Sequence, residues 1–284
     1  MPLQIQRAQI KPGDTTIFEF SDRITQRVVG FSGFTLSYGN TDHHVQIVSV
    51  SLSVNQSDSS LSVTANATMV DASGNNLDKN SSFVNVVALA WVGVDDPNLK
   101  LGNVAGISNG GSSSPVTIPG TDPNLLQAGL AGFYLSYSGT DHHMETACAT
   151  VGSTLSGNAA IINGTAYMFD QSGNSASGTV DAGLLANCDP ALRDFVRSTN
   201  SLQNSTQSIT FSKPFSSYTP FLNGYKAQYR NNSDHHVKTF SVDLSVQSMS
   251  GADVTVTGAA KLADKSGNVQ DDGVSHVSGF IIGI

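Results

Sequence analysis

"YGNTDHHVQIVSVSLSV" fills residues 38–54, and its centre, Asp42-His43-His44, returns in "YSGTDHHMETACATVG" (137–152) and "YRNNSDHHVKTFSVDLSV" (229–246). Six of the seven histidines in this 284-residue chain lie in the three triplets, whose first residues Asp42, Asp141 and Asp234 stand 99 and 93 positions apart. The first triplet opens onto an alternating stretch that puts Val48, Val50, Leu52 and Val54 on one face. That alternation is the pattern of a half-buried strand. A self-match at a regular spacing outranks local propensity, so the triplet decides the fold.

Other landmarks travel with it. "DASGN" (71–75), "DQSGN" (170–174) and "DKSGN" (264–268) follow the triplets by 29, 29 and 30 residues. Asp bonding its own downstream backbone and Gly at positive φ make these turns. A Gly-aromatic pair and a Tyr precede each triplet (Gly33-Phe34 and Tyr38, Gly132-Phe133 and Tyr137, Gly224-Tyr225 and Tyr229), and an apolar run closes each copy. The expected fold is all-β: three tandem antiparallel β-sandwich repeats arranged as an intrachain pseudo-trimer, each of about 80 to 95 residues, a size that sustains its own core. A closed threefold assembly uses one interface three times. The expected boundaries are 1–96 for the first repeat, a loose Gly/Ser-rich linker over 97–115, 116–188 for the second repeat, a short helical connection over 189–203, and 204–284 for the third. The helix is expected from Asp189 as N-cap, Pro190 at the first helical position and Leu192, Phe195 and Val196 on one face.

Composition excludes several classes. Charged residues are 13% of the chain, the formal net charge is −8 and no Lys/Arg cluster occurs, so no nucleic-acid partner is expected. No apolar run approaches the roughly 18 residues of a membrane span. The first residues show neither a basic nor an apolar signal region, which leaves the compartment open, a released or surface-acting protein included. Cys148 and Cys188 are open to two readings, a pair or two free thiols. No phosphate loop, His-Glu-x-x-His or nucleophile elbow is present. A cluster repeated three times suits a multivalent binder more than one catalytic centre, so no enzyme and no cofactor are expected.

Neighbouring residues at the mouth of a strand point to opposite faces, so the two histidines of a triplet have different surroundings. Three readings stay open. In the first, the triplet is a strand-entry plug. In the second, Asp42, His43 and His44 line a polar ligand cleft with Asp71 and Asn75; the equivalent sets are Asp141, His142, His143, Asp170 and Asn174, and Asp234, His235, His236, Asp264 and Asn268. In this reading each second histidine is held by the Asp of its own triplet. In the third, a threefold axis brings His44, His143 and His236 to one metal ion; a single triplet, with its rings on opposite faces, supplies no metal site of its own.

The third copy carries a resemblance. "ITFSKPFSSYTPFLNGYKAQY" (209–229), followed by "HHVKTFSVDLSV" (235–246) and the closing "SGFIIGI" (278–284), resembles the H-type lectin domain of snail agglutinins and discoidin C-terminal regions, and "LAWVGV" (89–94) is similar to the ending of that family. The resemblance implies six-stranded antiparallel sandwiches, associated in threes, with a terminal sugar held between neighbours. It puts His44, His143 and His236 where the family has a sugar-contacting Arg. The chain departs from the family in having no Trp near the Asp-x-Ser-Gly-Asn turns and a longer second half in each copy. The function expected is a non-catalytic carbohydrate-binding protein with up to three equivalent sites and glycans as partners. The alternative is a structural or receptor-attachment module, a toxin or appendage subunit of a larger assembly, in which the triplets are packing or a threefold metal site.

Overall fold

The alternating segments form strands in the computed structural model, which describes residues 2–192 and 194–284. As expected, the chain is all-β: regular structure outside the strands is confined, among the described residues, to 3-10 turns at Pro190–Leu192 and Arg230–Asn232. Six strands precede the first repeat's end: β1 (Leu3–Ile10), β2 (Thr15–Glu19), β3 (Ile24–Ser37), β4 (Ile47–Gln56), β5 (Ser60–Val70) and β6 (Phe83–Val92). Six follow in the middle third: β7 (Leu99–Ser108), β8 (Val116–Thr117), β9 (Leu125–Ser136), β10 (Thr146–Ser156), β11 (Ala159–Phe169) and β12 (Ser175–Asn187). The last six are β13 (Val196–Ser198), β14 (Ser205–Thr210), β15 (Tyr218–Gln228), β16 (Thr239–Ser250), β17 (Asp253–Ala263) and β18 (His276–Gly283). Each triplet lies between the third and fourth strand of its set.

Two connecting segments differ from expectation. The segment read as a loose linker contains β7, which pairs with β12 from Leu99 opposite Asn187 to Ser108 opposite Thr179. Its Leu99, Leu101 and Ile107 are buried, and this alternation outweighs the Gly and Ser content around it. The segment read as a helix makes only one 3-10 turn before Val196–Ser198 adds to the edge of β18. A helix this short gains too little to offset its nucleation, whereas strand addition buries Phe195 and Val196 and supplies backbone partners. Cys148 and Cys188 are both free thiols.

Strand pairing links the three sets in a ring. β1-β6-β3 continues into β16-β17-β14 as one six-stranded sheet. β7-β12-β9 continues into β4-β5-β2, and β13-β18-β15 into β10-β11-β8; among the described strands these two runs are hydrogen-bonded to each other where Tyr167–Phe169 pairs with Ser175–Ser177 across the turn between β11 and β12. Every sheet therefore joins the first, sixth and third strands of one set to the fourth, fifth and second strands of another. The junctions are short: Thr239–Asp243 on Gly33–Ser37, Ile47–Val50 on Phe133–Ser136, and Thr146–Thr150 on Gly224–Gln228. Gly33, Gly132 and Gly224 sit at or beside the end of each junction. A Cβ at Gly33 would lie 2.4 Å from the Val242 carbonyl and one at Gly224 2.7 Å from the Thr150 side chain, so these two approaches require glycine; at Gly132 it would lie 2.7 Å from the Asp181 carboxylate and 3.1 Å from the Val50 carbonyl, a tight contact.

The core fills the space that the three sheets face. Phe34, Phe133 and Tyr225, equivalent in the three sets, have ring centroids 5.2 to 5.5 Å apart in every pairing and enclose a pseudo-threefold axis. Four residues earlier in each set the equivalence breaks: the positions are Gly30, Gly129 and Phe221. A Cβ at Gly30 would lie 2.3 Å from the Phe221 ring and one at Gly129 2.2 Å from it. One phenyl group, stacked on Phe280 with centroids 5.2 Å apart, thus fills a space bounded by two glycines. Because the neighbours lack side chains with which to collapse into the void, Phe221→Ala is expected to cost about 4 kcal/mol, near the top of the usual large-to-small range. Urea unfolding checks this, and a loss below about 2 kcal/mol would show that the axis repacks.

Candidate functional site

Each Asp-x-Ser-Gly-Asn segment folds into the turn expected of it. Asp71 accepts the Asn75 backbone N–H at 2.8 Å and its side-chain amide at 2.6 Å. Asp170 does the same with Asn174 (2.8 and 2.6 Å) and Asp264 with Asn268 (2.8 and 2.5 Å). Gly74, Gly173 and Gly267 hold φ at 88°, 89° and 97°, which only glycine adopts without strain. The carboxylate so fixed faces the first histidine of its own set: Nδ1 of His43, His142 and His235 lies 3.5, 3.2 and 3.7 Å from Asp71, Asp170 and Asp264. Nε2 of the same rings meets a hydroxyl, that of Thr41, Thr140 or Ser233, at 3.1, 3.0 and 3.0 Å. The Tyr38, Tyr137 and Tyr229 rings pack 4.9, 4.7 and 4.9 Å from them. Their contacts fit the strand-entry plug reading, and Asp71, Asn75 and their counterparts are engaged in internal bonds.

Burial works against ionisation of Asp71, Asp170 and Asp264, but the side-chain and backbone amides of Asn75, Asn174 and Asn268, with the facing imidazoles, outweigh it and hold the carboxyls below the usual 3.8.

The second histidines do something else. His44, His143 and His236 point at one another, with ring centroids 4.6, 4.5 and 4.8 Å apart, and one nitrogen from each lies within 4.8 Å of the others. Backbone bridges hold the three strand mouths together: His43 with Val237, Val45 with His142, and Met144 with His235. The carboxylate beside each ring comes from another set, which corrects the expectation that each triplet serves its own histidine. Nδ1 of His44 is 3.8 Å from Asp141, that of His143 is 3.6 Å from Asp234, and that of His236 is 3.9 Å from Asp42. Asp42 also accepts the Lys265 backbone N–H at 3.0 Å and Asp141 that of Ala72 at 3.2 Å, so each reaches across to a turn of the neighbouring set.

Nδ1 of each ring lies on the side of a carboxylate, and one nitrogen of each ring is available to the centre. At metal sites a carboxylate hydrogen-bonded to the far nitrogen orients a histidine ligand; here the three carboxylates stand 3.6 to 3.9 Å away, on that side of each ring but beyond hydrogen-bond distance. Tetrahedral zinc with Zn–N of about 2.0 to 2.1 Å would bring the three nitrogens to about 3.3 Å from one another, a small closure of side chains that are 39 to 41% exposed. Burial, then the neighbouring His143 and His236, lower the pKa of His44, which favours the neutral ring that a metal needs. Of the residues singled out from sequence, the structure brings these three to one point; in the third set His235 and Asn268 also line a small cleft with Arg230, Asn231, Ser233, Gly267 and Val269. The hydroxyls of Thr41, Thr140 and Ser233 that meet the rings of the first histidines all stand two residues before them, a regular spacing that marks them in the sequence.

Comparison with family models, curated proteins and solved structures found no match for the chain.

The depressed turn carboxyls contribute stability that is present above the unfolded value of about 3.8 and lost as pH falls through the lower folded value. Asp71→Asn, Asp170→Asn and Asp264→Asn are each expected to cost about 1 to 3 kcal/mol at pH 7 and less at pH 3. Urea unfolding at the two pH values checks this; a cost that is the same at both would remove the carboxylate from the argument.

Proposed function

We propose that the protein is a non-catalytic recognition or attachment module, closed into a ring by its own strands and clasped at one end by a divalent transition-metal ion on His44, His143 and His236. The observation that supports this most is the convergence of three equivalent imidazoles, each backed by a carboxylate. Imidazole suits zinc, copper, nickel and cobalt. Binding such an ion at the meeting point of three sets would add stability by mass action.

Untagged protein titrated with Zn2+ or Co2+ is expected to bind one ion per chain with a rise in Tm, and His143→Ala is expected to abolish both. Affinity should fall in acid, because protons then compete with the metal for the rings. Sub-stoichiometric binding that His143→Ala leaves unchanged would contradict the proposal.

A carbohydrate-binding reading has separate support. On the outer face of the first sheet, Gln9, Thr35, Phe83, Asn85, Asp243 and Lys261 line a groove between β1, β3 and β6 on one side and β16 and β17 on the other. A half-buried aromatic edge with amide, carboxylate, hydroxyl and ammonium groups is a set that suits a sugar ring. Thr35 lies where the other two sheets carry Tyr134 and Lys226, so one groove is expected rather than three. A glycan array should then give a terminal-sugar preference that Asp243→Ala removes; no preference, or one that survives the substitution, would dismiss this reading.

A further inference from the structure

The tri-histidine cluster has an open side. Its rings are 41, 39 and 40% exposed although they touch one another, so the triangle they form faces solvent. Among the described residues no fourth His, Cys, Asp or Glu joins them. The residues next in the chain, Val45, Met144 and Val237, are fully buried, and the Met144 thioether is the one side-chain donor among them. Three-coordinate protein sites of this kind leave a further position to a ligand from outside.

The charge around that position is fixed by the fold. Asp141, Asp234 and Asp42 stand 3.6 to 3.9 Å from the three rings. Three carboxylates carry one more charge than a divalent ion. Gln46, Glu145 and Lys238, two residues beyond the second histidines, add one acid and one base, while the turn carboxylates Asp71, Asp170 and Asp264 behind the first histidines add to the negative charge. The chain as a whole is also acidic, at −8. An incoming anion therefore meets a negative collar, whereas a neutral donor does not.

Resting on the metal reading above, we infer that the loaded centre keeps one solvent-facing coordination position that selects a neutral nitrogen donor, an exposed histidine side chain of a partner protein, over a carboxylate. The metal then acts as a docking point and the collar of Asp42, Asp141 and Asp234 as its selectivity filter. A carboxylate already occupies the outer side of each ring, so the site distinguishes donors by charge as well as by softness.

The test uses untagged full-length chain loaded with Co2+, whose visible spectrum reports the ligand set. Imidazole is expected to shift the spectrum at a concentration at least about tenfold below that at which acetate does, equivalent to about 1.4 kcal/mol, and a histidine-bearing peptide is expected to act like imidazole. Asp42→Asn, and the triple variant with Asp141→Asn and Asp234→Asn if it folds, should narrow the gap by strengthening acetate. A Co2+ spectrum that imidazole does not move would overturn the open position while leaving the metal site standing. Acetate equal to or better than imidazole would overturn the selectivity. Failure of the wild-type chain to bind Co2+ at all would overturn the metal reading and this inference with it.

Discussion

The structure depends on one constraint: no set of six strands completes its own sheets. β3 and β4 would each present an unpaired edge if their set stood alone, and an exposed edge is an open invitation to another strand. Here the invitation is answered within the chain. The β4-β5 hairpin adds to β9, β10-β11 to β15, and β16-β17 back to β3, which closes the ring. Glycine at 33, 132 and 224 lets the backbones approach at each junction, and the hydrogen-bond register there fixes where each strand mouth lies.

The doubled histidine follows from that closure. Two identical side chains in succession enter a strand on opposite faces, and the ring gives the faces different environments. The first imidazole stays inside its own set, between a turn carboxylate, a hydroxyl and a tyrosine ring, and its work is to seal the strand entry. The second meets its counterparts at the axis, and the preceding Asp reaches into the neighbouring set, to an imidazole and in two cases to a backbone amide as well. Threefold repetition therefore yields three plugs but one centre. The axis departs from the repetition at Gly30, Gly129 and Phe221, where one ring does what three could not, because three phenyl groups would collide and three glycines would leave a void. A single chain can break symmetry in this way; three identical chains cannot.

Much of this was legible in the sequence. Alternation after each triplet gave the strands, and the Asp-x-Ser-Gly-Asn turns followed from side-chain and glycine chemistry that is local. What escaped was set by distant contacts. Composition around Leu99–Ser108 suggested a linker because the alternating leucines matter only when β12 offers an edge, and Phe195 and Val196 left the helix for the same reason at β18. The partner of each second histidine was assigned to its own triplet because sequence adjacency was the only guide; the ring moves it one set onward. The convergence of His44, His143 and His236 was foreseeable as one of three arrangements, and no local signal distinguished it from the others.

We propose that ring closure builds one three-nitrogen metal site. X-ray absorption at the zinc edge of untagged, zinc-loaded protein tests it most directly. The account predicts a first shell of three imidazole nitrogens, with one further light donor, at about 2.0 to 2.1 Å and no sulfur. A sulfur shell near about 2.3 Å, or a shell of oxygens with no imidazole scattering, would place the metal elsewhere and contradict the claim.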